Sequence, residues 1–289
     1  MTRRDASLTS NIDILLIGHM TVDLVPGGRM PGGTVSYAAP TYAAFGHRVG
    51  ILTSAARDEP LLECLRPYGR LEVLPSEHSL TYENVYSETG RQQYVRATAS
   101  PICLSDVPEQ WTSVRYVHLG PLAAELDPLE LARGFPNATI MLTLQGLMRR
   151  WGADGLVRFR RWFDEDALRL IDIVVYSEED VHQFPQLTEE VRRVCRHLVV
   201  TNGRAGGTYY HAGDAMTYDS IAVEARDLTG AGDVFAASLL GSLSAVNGDL
   251  ARGVRLAGRL AAYSVTRSGL DSAPKANEIA RELRMVQGG

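Results

Sequence analysis

Short apolar segments alternate with helical stretches along most of this chain, and this alternation is the feature that most limits its fold. Helices that separate successive strands connect them in parallel, and almost continuously apolar strands are typical of a sheet covered on both faces. We therefore predict an α/β fold, a doubly wound and mostly parallel sheet flanked by helices, with residues 1–289 in a single domain. The strand candidates lie at 12–17, 49–54, 114–120, 139–144, 171–177 and 197–203.

The segment 81–97 departs from this alternation, because two extended, β-prone arms surround Thr89-Gly90. Such a pattern predicts a β-hairpin, and its two alternative roles are a flap that projects from the main sheet and an ordinary edge hairpin. We favour the flap and predict a small β-hairpin lid, with lid elements near residues 19–32 and 79–98.

Helices and short strands account for much of the remaining chain. A helix rich in small residues is predicted over 33–45, where Pro40 should kink or break it, because proline lacks the N–H that a helix interior requires. Residues 206–223 predict short antiparallel strands, and two long helical runs follow between residues 230 and 267. Residues 275–286 are expected to form a last helix.

Charge and hydropathy exclude several partners. The formal net charge of −5 provides no basic field for a nucleic acid or an anionic membrane surface. The polar N-terminal stretch leads into a short strand rather than a secretory signal, and no apolar run approaches the ~20 residues of a membrane span. We therefore expect a cytoplasmic protein that binds small molecules and neither nucleic acid nor membrane, with a homodimer as an open alternative.

The scarcity of lysine excludes several chemistries. Lys275, near the C-terminus, is the only lysine among 29 Lys and Arg residues. A Walker phosphate loop, a protein kinase and a pyridoxal enzyme each need a lysine in a defined motif. The three cysteines are far apart, the histidines have no metal-ligand spacing, and no G-x-G-x-x-G follows the first strand. A thiolate or metal centre and a dinucleotide site are therefore disfavoured.

The strongest signal of chemistry lies in residues 225–243, where a strand end gives way to Gly230-Ala231-Gly232 and then to a helix. Glycines let the backbone approach a phosphate closely, and a helix N-terminus offers unpaired N–H groups. Beside such an anion site, Asp233 is placed to take a proton from a hydroxyl that attacks the phosphoryl group. The alternative is that Asp233 only complements the helix dipole.

Residues 227–233, DLTGAGD, resemble the D-x-T-G-A-G-D signature of the PfkB/ribokinase family at every fixed position, and weaker likenesses extend over nearly the whole chain. The resemblance implies a ribokinase-like carbohydrate kinase that uses ATP and Mg²⁺, with K⁺ as a further candidate cofactor. It assigns Asp233 as the catalytic base and the amides of Gly230, Ala231, Gly232 and Asp233 as an anion hole for the transferred phosphoryl group.

The same resemblance implies the other site residues. Asp23 followed by Gly32-Gly33 is similar to the pair of motifs that hold sugar or polyol hydroxyls, and 201–206 is similar to a T-x-G-x-x-G segment that lies along the nucleotide. Because lysine is nearly absent, Arg91, Arg96 or Arg149 is left to add positive charge. The full assignment is Asp23, Gly32, Gly33, Gln145 and Arg149 for the acceptor, Thr201, Gly203, Gly206, Thr229 and Gly258 for the nucleotide, Asp180 for outer-sphere magnesium and Asp227 for a monovalent cation.

Several motifs depart from the family pattern. The usual N-x-x-E is replaced by Ser177 and Asp180, which also fit a helix capping box without any metal. Gly258 stands where many members have an asparagine near the adenine, and Thr143 stands where a related branch has aspartate in D-x-Q-G. The segment 32–37, GGTVSY, lacks the asparagine of GGKGAN.

GGTVSY, YSETGRQQYV, LQGLMR and VVYSEEDV together resemble the branch that contains plant-type myo-inositol kinases, although Thr143 stands where that same branch often has aspartate. A cyclitol acceptor is therefore expected, myo-inositol or a related polyol. The alternatives are a nucleoside kinase of the same family and a non-catalytic regulator that binds a sugar or a nucleotide.

Overall fold

The computed structural model describes residues 12–87 and 90–288, and its central feature is a nine-stranded sheet. In chain order the strands are β1 (Ile14–Ile17), β2 (Thr21–Val25), β3 (Gly28–Gly32), β4 (Val49–Ala56), β5 (Arg70–Ser76), β6 (Leu80–Ser87), β7 (Gly90–Ala97), β8 (Tyr116–Leu119), β9 (Thr139–Thr143), β10 (Arg149–Arg150), β11 (Arg158–Phe159), β12 (Ile173–Ser177), β13 (His197–Thr201), β14 (Gly207–His211) and β15 (Asp214–Tyr218). The α-helices are α1 (Thr34–Ala44), α2 (Pro128–Gly134), α3 (Glu165–Leu170), α4 (Gln186–Arg192), α5 (Ala231–Ser242), α6 (Leu250–Ser264) and α7 (Ala276–Gln287).

The large sheet has the strand order β15-β14-β13-β12-β9-β8-β1-β4-β5. Its pairs are parallel from β13 through to β5, and only the β14 and β15 edge is antiparallel. Successive side chains of a strand face opposite sides of a sheet. On β1, Leu15 and Ile17 pack with α2, α3 and α4, while Ile14 and Leu16 pack with α1, α5 and α6. The predicted doubly wound sheet with helices on both faces is confirmed.

Helix α1 is continuous from Thr34 to Ala44 and passes through Pro40. The predicted break at Pro40 is therefore wrong. The helix lies against α5 and the sheet with Ala38 and Ala39 fully buried, so packing holds the backbone in place despite the missing N–H of the proline. Within the described ranges, no helix combines the length and the apolarity that crossing a membrane requires.

A second, small sheet stands beside the large one, with the order β3-β2-β6-β7. The hairpin predicted over 81–97 is formed by β6 and β7, although residues 88–89, including the predicted turn residue Thr89, lie outside the described residues. Strand β2 pairs with β3 in an antiparallel and with β6 in a parallel arrangement, and this register sets Asp23 opposite Tyr82. Both predicted lid elements therefore belong to one sheet.

Candidate active site

Several of the predicted site residues follow the carboxyl ends of parallel strands. Gln145 comes after β9, Asp180 after β12 and Gly203 after β13, while Asp23 lies on β2, which follows β1 closely. The carboxyl ends of parallel strands meet at one edge of the sheet, where open α/β folds bind their ligands. Helix α5 begins near the same edge, since the charges of Asp23 and Asp180 both act on Asp233 in its first turn.

The start of α5 forms a cradle of backbone amides. Gly230 precedes the helix with φ of +79°, a left-handed conformation that suits glycine. The amide of Ala231 donates to the Leu228 carbonyl at 3.3 Å, whereas the amides of Gly232 and Asp233 have no acceptor within the described residues. A Cβ at position 232 would meet no atom within 4 Å, so this face of the helix is open. Two free N–H groups therefore face open space at a helix N-terminus, an arrangement that suits an anion.

Asp233 is half-buried in the first turn of α5, and its surroundings favour the protonated form. Loss of hydration raises the pKa of its carboxyl to about 6, with smaller upward contributions from the charges of Asp180 and Asp23. A hydrogen bond from Thr34 and the positive charge of Arg149 act in the opposite direction. A carboxylate with a pKa near neutrality is a better proton acceptor than one with an ordinary value.

Thr34 is a residue that the sequence analysis missed. It is the first residue of α1, only 2% exposed, and its hydroxyl bonds the Asp233 carboxylate. The available signal was its position directly after Gly32-Gly33, which places it beside the acceptor motif.

The acceptor motifs come together on the small sheet and the first turn of α1. Thr21 donates to Asp23 Oδ1 at 2.8 Å and so orients the carboxylate. A Cβ on Gly32 would lie 2.3 Å from Asp23 Oδ2, and a Cβ on Gly33 would lie 2.6 Å from the Leu122 side chain. Gly33 also has φ of +83°. The glycine pair is therefore required by the close approach of Asp23 and of the loop after β8.

Arg149 is the arginine whose charge reaches Asp233. Its guanidinium lies 5.7 Å from the centre of the Tyr82 ring and bonds the Tyr82 hydroxyl, which itself donates to the Leu122 carbonyl at 2.7 Å. Arg96 instead pairs with Glu83 on the neighbouring strand at 2.6 Å. The side chain of Arg91, the third candidate, lies outside the described residues. Of the described candidates, Arg149 is thus the one built into the site.

Asp180 uses both carboxylate oxygens in protein contacts. Oδ2 accepts the amide of Ser177 at 2.9 Å, and the Ser177 side chain accepts the amide of Glu179, so the predicted capping box is confirmed. Oδ1 accepts a hydrogen bond from Gln145 Nε2 at 3.0 Å, and this bond links the segment after β12 to the segment after β9. Within the described ranges, no group of three or more His, Cys, Asp or Glu side chains is arranged to hold a metal.

Gly146, the residue after Gln145, lies close against the loop after β8. A Cβ on Gly146 would lie 2.1 Å from the Pro121 carbonyl oxygen, so Gly146→Ala is expected to lower the free energy of unfolding by about 1–3 kcal/mol through overpacking. Urea unfolding midpoints measure this. Gly152→Ala is the matched control, because its Cβ would meet only Asp154 Oδ1 at 3.6 Å. Equal midpoints for the two variants would contradict the close approach.

The segment predicted to lie along the nucleotide follows β13. Gly203 and Gly206 have φ of +49° and +86°, and a Cβ on Gly206 would lie 1.9 Å from the Tyr218 carbonyl oxygen. Both positions therefore need glycine. Gly258, in contrast, is buried on α6 under the Tyr218 ring, which lies 3.1 Å from where its Cβ would be. A nucleobase reaches Gly258 only if Tyr218 moves.

Asp227 and Thr229 shape the turn that leads to Gly230. The amide of Thr229 donates to Asp227 Oδ1 at 2.9 Å, and the amide of Asp227 donates to the Val265 carbonyl at 3.1 Å. Such an aspartate turn orients the backbone two residues on. Asp227 therefore supports the cradle, independently of any cation.

Comparisons with known proteins show which kinases this chain is similar to. Residues 159–277 match the family model described as pfkB family carbohydrate kinase. A fructokinase of Escherichia coli is 25% identical, with 89% of this chain and 94% of the fructokinase covered. An inositol 3-kinase of Zea mays is 29% identical, with 82% of this chain and 69% of that kinase covered. A solved pyrophosphate-dependent kinase in the ribokinase family, complexed with a pyrophosphate analog and myo-inositol, has a TM-score of 0.75 and 20% identity, covering 93% of this chain and 99% of that one.

The doubly wound sheet and its small second sheet define a ribokinase-like fold, with the amide cradle at the start of α5. The chain is similar to carbohydrate kinases of the pfkB family, and this similarity supports phosphotransferase activity.

Proposed function

We propose that this kinase transfers the γ-phosphoryl group of ATP to a hydroxyl of a small sugar or cyclitol, with myo-inositol or a related polyol as the favoured acceptor. The observation that carries the proposal is Asp233, a carboxyl with a raised pKa beside two amides at the start of α5 that have no acceptor among the residues the structure describes. A base and an anion cradle at one point are what an attacking hydroxyl and a transferred phosphoryl group require.

Each part of the site has a role in this transfer. Asp23 accepts hydrogen bonds from acceptor hydroxyls, and the Gly32-Gly33 turn gives the acceptor access to it. Asp233 takes the proton from the reacting hydroxyl, and the amides of Gly232 and Asp233 stabilise charge on the phosphoryl oxygens. Arg149 adds positive charge beside them.

We propose that the cofactors bind near the same residues. Mg²⁺, held by the phosphate oxygens of the donor with Asp180 in its outer sphere, would neutralise charge on the transferring group. Asp180 fits an outer-sphere role because both its oxygens already accept protein N–H groups, one from Ser177 and one from Gln145. We also propose a K⁺ site near Asp227. Replacing potassium with tetramethylammonium in the kinase assay tests it, because a required K⁺ would make the activity fall.

The choice of a cyclitol is supported by two relatives. The Zea mays relative is named an inositol 3-kinase, and the solved pyrophosphate-dependent kinase was complexed with myo-inositol. The fructokinase relative favours a sugar instead. A screen of cyclitols, pentoses, hexoses and nucleosides for donor consumption, with the product identified by NMR, separates these. Phosphorylation of nucleosides alone indicates a nucleoside kinase, and ligand binding without turnover indicates a regulator.

A second candidate concerns the donor. Gly258 is covered by the Tyr218 ring, which leaves no open surface there for a nucleobase, and one structural neighbour is pyrophosphate-dependent. Pyrophosphate would bind the amide cradle through its phosphoryl oxygens, and it needs no pocket for a nucleobase because it has none. Assays with ATP and with pyrophosphate, on the same acceptor, distinguish the two donors.

The pH dependence of the reaction follows from Asp233. Its base form dominates only above a pKa of about 6, so kcat/KM for the free enzyme is expected to rise with pH through about 6. Because the Arg149 charge lowers the pKa of Asp233, Arg149→Gln should move the midpoint to higher pH. Profiles at constant ionic strength measure both effects. A flat profile across this range, or an unmoved midpoint in the variant, would contradict this assignment.

A further inference from the structure

Tyr37 is a buried residue that does not belong to the hydrophobic core cluster on its side of the sheet. It lies on α1 and is 3% exposed, yet the core cluster on this side of the sheet takes in Val35, Ala38, Ala39 and Tyr42 from the same helix without it. Its ring lies against the catalytic turn instead, because a Cβ on Gly230 would be 2.4–2.6 Å from three of its ring atoms.

The direction of Tyr37 follows from helix geometry. Residues three apart on a helix share a face, and Thr34, three residues earlier, bonds the Asp233 carboxylate. Tyr37 therefore faces the same carboxylate. The pKa of its hydroxyl is raised by burial and then by the negative charges of Asp23, Asp233 and Asp227, in that order. The phenol is thus protonated and lies in the field of both the acceptor-side carboxylate and the base.

The Tyr37 hydroxyl has no hydrogen-bond partner within the described residues. It is also absent from the unpaired polar atoms sealed inside the protein, which include the hydroxyls of Ser54 and Tyr218. Its oxygen is therefore not completely sealed from the site, whereas theirs are sealed. A buried phenol normally finds a partner, so one that is neither sealed nor paired beside a binding site is matched to a ligand group.

We propose that Tyr37 binds the acceptor, donating a hydrogen bond to the hydroxyl next to the one that is phosphorylated. This inference rests on the proposed function and adds the class of acceptor to it. Asp23 and Asp233 each engage one acceptor hydroxyl, and Tyr37, which lies in the field of both carboxylates, engages a third. The acceptor is thus a polyol with at least three hydroxyls in a row, and Tyr37 helps to decide which of them reacts.

The test combines a variant with a modified acceptor. Tyr37→Phe keeps the ring against Gly230 and removes only the hydroxyl, so it is expected to raise the acceptor KM about 3- to 10-fold, the effect of one neutral hydrogen bond, with the donor KM unchanged. A deoxy acceptor that lacks the neighbouring hydroxyl should show the same loss with the wild-type enzyme. Tyr37→Phe with the deoxy acceptor should then show no further loss, because both changes remove one contact.

Product analysis gives an independent result. Tyr37→Phe is expected to give a measurable fraction of product phosphorylated at a second hydroxyl, as detected by two-dimensional ¹H–³¹P NMR. Tyr116→Phe, at the opposite end of the sheet, is the control for loss of a buried tyrosine hydroxyl and should change neither KM nor product. The inference would be overturned if Tyr37→Phe and the deoxy acceptor raised the acceptor KM additively when combined. An unchanged acceptor KM in Tyr37→Phe would also overturn it. A wild-type enzyme that phosphorylates no polyol would instead overturn the proposed function.

Discussion

Asp233→Asn is expected to lower kcat by about 10²–10⁴-fold, the usual contribution of a general base. Asparagine has nearly the same shape and still accepts the hydrogen bond from Thr34, but it cannot take the proton of the attacking hydroxyl. The amides of Gly232 and Asp233 are backbone groups and remain in the variant, so donor binding should persist. The main loss therefore falls on kcat rather than on the KM of the donor.

Steady-state kinetics and calorimetric titration of the donor measure these two quantities separately. Asp249→Asn is the matched control, because Asp249 caps the N-terminus of α6 while Asp233 lies in the first turn of α5. Among the described residues, its carboxylate accepts the Arg252 amide and pairs with the Arg252 side chain. We expect the control to leave kcat unchanged. Full turnover in Asp233→Asn would exclude Asp233 as the base, and loss of donor binding would show that its charge serves the cradle instead.

Gly230→Ala should lower kcat by about 10²–10³-fold, the effect of losing donors that stabilise transition-state charge. The added methyl group would lie 2.4 Å from the Tyr37 ring, and alanine at φ of +79° is strained. The backbone must shift to relieve both, and the shift displaces the amides of Gly232 and Asp233. In Gly230→Ala we expect both kcat and the affinity for the phosphoryl donor to fall, whereas in Asp233→Asn only kcat should fall.

Gly232→Ala adds the same methyl group to the same turn, but no atom lies within 4 Å of its position. Its thermal stability should match that of the wild type, while Gly230→Ala should melt at a lower temperature. Circular dichroism and kinetics on both variants test this contrast. Equal kcat in Gly230→Ala and the wild type would mean that the cradle does not depend on the left-handed turn.

Much of the fold is predictable from the sequence because its signals are local. All six apolar strand candidates, from 12–17 to 197–203, overlap strands of the large sheet, and the hairpin forms where its two arms were predicted. The capping box of Ser177 and Asp180 is confirmed for the same reason, since its residues are three apart. Pro40 is the exception, because packing against α5 overrides the local preference.

The candidate active site likewise has one part that the sequence predicts and another part that depends on tertiary packing. The sequence alone determined the cradle, because the left-handed Gly230, the free amides and Asp233 all lie within one turn of chain and depend on backbone chemistry. Only the tertiary structure decided which side chains surround it. Whether Arg96 or Arg149 reaches Asp233, and that Thr34 and Tyr37 face it, depends on how α1, the small sheet and the strand ends pack together. Such contacts join residues that are far apart in sequence, so the spacing of residues along the chain does not predict them.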